Sequence, residues 1–116
     1  MLKRKGSYEI DKRDNMRGGP GTATVEHIFK KGEFGGPHFR AFARLILPPG
    51  AGVGLHAHEG DDEAWLIVRG RGQVSDSGVT TEVGEGDAIL TGKGNSHSIT
   101  NTGVDTLEAI AIIVAY

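Results

Sequence analysis

Residues 50–70, GAGVGLHAHEGDDEAWLIVRG, carry the side chains best suited to chemistry. His56 and His58 are two apart, and residues two apart on a β-strand project from the same face. An extended chain here therefore presents two imidazoles side by side. Glu63 opens the apolar run Ala64-Trp65-Leu66-Ile67-Val68. A hairpin return across the acidic, glycine-containing turn would bring its carboxylate to the histidines. His97, in GNSHSITN, is a fourth candidate. Imidazole nitrogen and carboxylate oxygen suit a first-row transition metal. With no cysteine in the chain, an ion is held by nitrogen and oxygen alone, which fits Mn, Fe, Co, Ni, Cu or Zn without selecting among them.

The elements that must position these residues read as short strands. The chain has 116 residues, enough for one domain with its own core and no disulfide framework. Its 19 glycines fall between apolar runs, as expected for many strands joined by turns. Residues 22–29 alternate well enough for a strand, and so do residues 38–47, where Phe39, Ala41, Ala43, Leu45 and Leu47 make one apolar face. Arg40 and Arg44 fall on the other face with Phe42 and Ile46, which predicts a partly covered outer surface. Residues 73–76 and 79–83 flank a hairpin turn at Ser77-Gly78. Residues 88–90, the strand carrying His97 and the apolar run at residues 107–114 follow. Residues 1–21 are polar, with only residues 7–10 strand-like, and Asn15-Met16-Arg17-Gly18-Gly19-Pro20-Gly21 reads as a loop. No segment has sustained helical periodicity with caps. The fold class expected is all-β, a sandwich or barrel.

Two blocks of this sequence resemble the motifs of the cupin family. Gly50, His56, His58, Glu63 and Gly70 fill every defined position of G-x5-H-x-H-x4-E-x6-G, and Gly86, Gly94, His97 and Asn101 fill G-x5-P-x-G-x2-H-x3-N except for its proline, replaced by Gly92. The short interval between the blocks resembles compact single-domain cupins. The resemblance implies a double-stranded β-helix, or jelly roll, with residues 36–116 as the barrel. Residues 1–35 would form an N-terminal arm and first strands of the same domain, able to exchange within a dimer. It also implies one divalent transition metal per chain, held by His56, His58, Glu63 and His97. Glycine at position 92 is expected to supply backbone freedom to a turn.

Strand alternation sends Trp65 and Ile67 to the same side as Glu63, and Ile99 to the same side as His97, so these three are expected as apolar pocket wall. Glu59, Asp61 and Asp62 read as solvated turn residues. His27 and His38 lie outside both blocks and are assigned no role. The parity of Arg40 and Arg44 points them outward, away from a substrate in the barrel.

Function is bounded rather than specified. Residues 1–44 hold ten Lys or Arg against five acids, and the remainder three against ten. No helix-turn-helix or aromatic–basic platform accompanies this charge, so it reads as a solvated or partner-facing surface and not as a nucleic-acid site. No apolar stretch is long enough for a signal segment or a membrane span, which makes cytoplasm the expected location. The resemblance implies a metal-dependent enzyme acting on a small oxygen-rich molecule such as a chelating carboxylate: a dioxygenase, an oxalate decarboxylase-like enzyme, or a sugar isomerase. The alternative is a non-catalytic module that binds or senses a metal–ligand complex. The blocks contain no separate general acid or base, so no catalytic residue is named. The outer face with Phe42 and Ile46 predicts a homodimer.

Overall fold

The computed structural model describes all 116 residues, in ten strands and one short 3-10 turn. The strands are β1 (Glu9–Asp14), β2 (Thr22–Lys30), β3 (Phe39–Leu47), β4 (Gly52–Ala57), β5 (Asp61–Arg69), β6 (Arg71–Asp76), β7 (Val79–Gly84), β8 (Ala88–Thr91), β9 (Ser96–Thr100) and β10 (Leu107–Ala115). They form a six-stranded sheet, β1-β2-β3-β10-β5-β8, facing a four-stranded sheet, β4-β9-β6-β7, with every pairing antiparallel. This is a jelly roll. There is no α-helix, and no helix long and apolar enough to cross a membrane.

Side-chain alternation explains which face each strand buries. Along β5, Asp61, Glu63, Trp65 and Ile67 are buried, whereas Leu66 and Val68 are exposed on the other side. β10 is apolar except for Glu108, as suits a strand between β3 and β5 at the centre of its sheet. Its Leu107, Ala109 and Ala111 face the core. Leu47, Ile67, Ile99 and Leu107 are fully buried between the sheets. Each contributes about 2–3 kcal/mol of apolar burial relative to exposure.

The polar N-terminal segment departs from expectation. β1 begins at Glu9 and runs through Lys12-Arg13-Asp14, where the sequence shows no apolar alternation. It forms by backbone pairing with β2, Glu9 opposite His27 through Asp14 opposite Thr22, and as an edge strand it needs no apolar face. The loop after it contains the 3-10 turn Met16–Gly18, with Asn15 and Arg17 both in the left-handed region. This turn seats on β4: a Cβ at Gly54 would collide with the Arg17 carbonyl.

Candidate metal centre and its cavity

β4 and β5 do not form a hairpin pair. β4 belongs to the four-stranded sheet and β5 to the six-stranded one. His56 instead pairs across strands with His97 of β9, while Glu63 reaches them from the facing sheet. A bulge in β4 between Val53 and His56 sets the direction of the His56 ring. His58 lies just past the end of β4, where its N–H donates to Asn95 and its carbonyl accepts from Gly94.

The structure brings His56, His58, Glu63 and His97 together, with one donor atom of each within 4.8 Å of all the others. Glu63 Oε1 lies 2.9 Å from His58 Nε2, 2.9 Å from His97 Nε2 and 4.0 Å from His56 Nε2. His56 Nε2 and His97 Nε2 are 3.1 Å apart. His56 Nδ1 donates to the Gly54 carbonyl at 2.7 Å, and His58 Nδ1 donates to Asp61 Oδ1 at 2.7 Å. In the neutral rings those two bonds fix the tautomers and leave each Nε2 a bare lone pair. Lone pairs aimed at one another and at a carboxylate oxygen repel, and a cation among them reverses the sign. His58 Nε2 is buried without a hydrogen-bond partner, as a ligand atom would be. Donors about 2.1 Å from one ion would stand about 3.0 Å apart at right angles and about 4.2 Å apart when opposite. The observed separations fit that spacing. Burial holds the His56 imidazole below its ordinary pKa, against the opposing effect of the Gly54 hydrogen bond, so the neutral, metal-competent form is favoured.

His97 is anchored differently. Its ring stacks on Trp65, with centroids 3.8 Å apart and planes 6° from parallel, and its Nδ1 is buried with no acceptor.

These donors meet a cavity of about 390 Å³. Trp65 borders it, with Val25, Leu45, Val53 and Ile113 among the apolar walls. Ile67 and Ile99, expected as wall, are core residues that do not border it. Both lie on the inward side of their strands, as alternation requires, but deeper than the cavity reaches.

Three readings of individual residues change. Asp61 is buried and bonded to His58, not a solvated turn residue, and its other oxygen pairs with Arg40 Nη1 at 3.4 Å. Its parity with Glu63 on β5 was the available signal. Arg40 therefore stands at the cavity mouth despite its outward parity, whereas Arg44 stays on the outer face, between Glu26 at 3.5 Å and Glu108 at 3.3 Å. At Gly92 a Cβ would overlap the Asp62 carboxylate, which accepts from the Tyr116 hydroxyl at 2.6 Å, so a side chain there would have to displace that pair. His27, left unassigned, also lines the cavity, 3.9 Å from Asp11; His38 does not.

The basic N-terminal charge has a location as well. Arg13, Arg17, Lys30, Lys31 and Arg40 all line the cavity, where the only acid is Glu63. Residues far apart in sequence meet there because β1, β2 and β3 are sheet neighbours. The loop between β2 and β3 is held at the mouth by a cluster of all four phenylalanines, including a Phe34–Phe39 stack at 4.3 Å.

Comparison with known proteins agrees with this architecture. Residues 43–113 match the family model described as Cupin domain. A protein of Thermotoga maritima named oxalate-binding protein is 41% identical over 114 residues, 98% of this chain and 93% of its own length. The crystal structure of a predicted oxalate decarboxylase from Thermotoga maritima has 40% sequence identity and a TM-score of 0.95 over 100% of both chains. An RmlC-like cupin from Shewanella frigidimarina shares the fold at 16% identity, with a TM-score of 0.75 over 99% of this chain and 90% of its own.

Proposed function

We propose that this chain, which belongs to the cupin family, holds one divalent transition metal and uses it to bind a small chelating carboxylate such as oxalate. The observation that carries this reading is the convergence of His56, His58, Glu63 and His97, with two tautomers fixed so that bare nitrogens face one point. The name of the Thermotoga maritima relative supports the carboxylate. A bound ion would supply Lewis acidity to a chelated ligand. The chain's own residues do the rest. Gly54 and Asp61 orient two of the imidazoles, and Trp65 fixes the plane of the third. The apolar walls lower the local dielectric around the bound anion.

The reading favoured for activity is turnover of that carboxylate, by decarboxylation or oxygen-dependent oxidation. His27 is a cavity-lining imidazole outside the four donors and is the candidate proton carrier for such turnover. The second reading is binding without turnover. What favours it is that Asp61, the other acid in contact with the histidines, is already committed to His58 and Arg40.

The test is elemental analysis of purified protein, followed by calorimetry with oxalate and an assay for carbon dioxide and formate. Metal near one equivalent per chain and metal-dependent oxalate binding are expected. Failure to take up Mn, Fe, Co, Ni, Cu or Zn would overturn the proposal. Binding with no product would leave the second reading. We further propose a cytoplasmic location and, separately, a homodimer, the latter supported by an apolar patch on the outer face of the six-stranded sheet, where Leu66 and Leu90 are exposed beside Phe42 and Ile112. Sedimentation should return twice the 12.3 kDa chain mass.

A further inference from the structure

The cavity is larger and more polarised than a six-atom acid requires. At about 390 Å³ it falls within the range of pockets that enclose whole cofactors or drug-sized ligands. Donor atoms form its floor, apolar side chains its walls, and five cationic side chains its mouth. Three of these cations are paired with acids that do not line the cavity: Arg13 with Asp11 at 2.8 Å, Lys30 with Glu9 at 2.6 Å, and Arg40 with Asp61 at 3.4 Å. Arg17 and Lys31 have no such partner. Arg17 is also the residue the backbone is bent to place. It stands at φ 54°, ψ 29°, in the left-handed region that a non-glycine residue adopts at a cost, and strain of this kind is retained where the surroundings impose it. The turn that carries Arg17 packs on the site itself. The Arg17 carbonyl packs on Gly54, whose own carbonyl orients His56.

We propose that Arg17 recognises a second anionic group, remote from the chelating end of the ligand, so that the preferred ligand class is an acid with a chelating head, a short apolar body and an anionic tail. This rests on the metal-chelate reading above and extends it. Oxalate satisfies the floor alone. A longer diacid spans the apolar walls and places its tail against the one guanidinium at the mouth that carries no competing carboxylate. The guanidinium fork is suited to binding a carboxylate through two parallel bonds.

The experiment uses matched probes on metal-loaded protein: oxalate, pyruvate, and 2-oxoglutarate, which has the same 2-oxo acid head as pyruvate and an added carboxylate. Calorimetry is run on the wild type and on Arg17→Gln and Arg17→Lys, with metal content and thermal stability measured for each. In wild type, 2-oxoglutarate is expected to bind about tenfold or more tightly than pyruvate, the factor a charge-assisted hydrogen bond supplies. Arg17→Gln should erase that advantage while lowering pyruvate and oxalate affinity by the same few-fold factor, as loss of any one mouth charge would, and leaving metal content unchanged, and Arg17→Lys should retain part of it. Equal affinity for pyruvate and 2-oxoglutarate in wild type, or an advantage that survives Arg17→Gln, would overturn the proposal. If no probe binds in a metal-dependent way, oxalate included, the metal-chelate reading fails instead, and the two failures are distinguishable.

Discussion

At the floor of the cavity, four donors from two facing sheets are buried or nearly so, and each of the three imidazoles is held by a specific neighbour: Gly54 for His56, Asp61 for His58, Trp65 for His97. At the mouth, Arg13, Arg17, Lys30, Lys31 and Arg40 are all exposed and come from the strands and turns of the first 40 residues. A buried group responds strongly to small geometric changes because water cannot compensate for a lost partner. An exposed charge acts through a screened field that several side chains share. The floor should therefore behave as a set of indispensable parts, and the mouth, apart from the paired contact proposed for Arg17, as a sum of modest ones.

The largest effect should come from Glu63→Gln, which removes the one anionic donor with little change of shape. Metal affinity is expected to fall more than about a hundredfold, beyond the range for residues that only support a ligand. Competition with a chromogenic chelator measures this, and a loss below tenfold would remove Glu63 from the ligand set. Next is Asp61→Asn, which keeps the side-chain volume but weakens the hold on His58 Nδ1. A loss of about 10–100-fold in metal affinity is expected, and wild-type affinity would show that Asp61 serves the fold alone.

Acidification comes third. Burial lowers the pKa of His56 in the folded chain below its unfolded value of 6.5, so the native state binds fewer protons than the unfolded one. Its contribution to stability is complete above about pH 6.5 and is lost as the pH falls through the folded value. The melting temperature of metal-free protein should decline on that side, and metal affinity should decline with it as protons compete for the imidazoles. A melting temperature flat from pH 7 to pH 5 would contradict the assignment. The smallest effect belongs to Lys31→Gln. Affinity for an anionic ligand should drop only about two- to fivefold, the drop should shrink as salt is raised, and metal binding should be untouched. If this substitution matched Glu63→Gln in effect, the contrast between floor and mouth would collapse.

That same contrast governs what could be read from the chain. The four donors were legible because His56, His58 and Glu63 sit within eight residues at spacings matched to strand geometry, and His97 lies in a second block of fixed pattern. The jelly roll was legible from short alternating runs between glycines. The route that joins the donors was not, since the turn at Glu59-Gly60 reads as a hairpin while the chain in fact crosses between sheets. Asp61 was hidden among acidic neighbours, although it shares parity with Glu63. Arg13, Arg17, Lys30, Lys31 and Arg40 have no local pattern. Only the order β1-β2-β3 assembles them, and β1 is a charged edge strand with no alternation to announce it. Gly92 shows a further limit, because its reason is a carboxylate 30 positions earlier, visible only once Asp62 and Tyr116 are seen to meet over it.

The stack of Trp65 on His97 has an optical consequence. It is the only tryptophan in the chain, so indole emission comes from a single source lying 3.8 Å, ring to ring, from a donor side chain. An ion with unpaired electrons seated at His97 would quench that emission at close range, whereas closed-shell zinc would leave most of it. Titrating the protein with manganese and with zinc while watching one fluorescence band would report occupancy and the electronic character of the ion together, with no label attached.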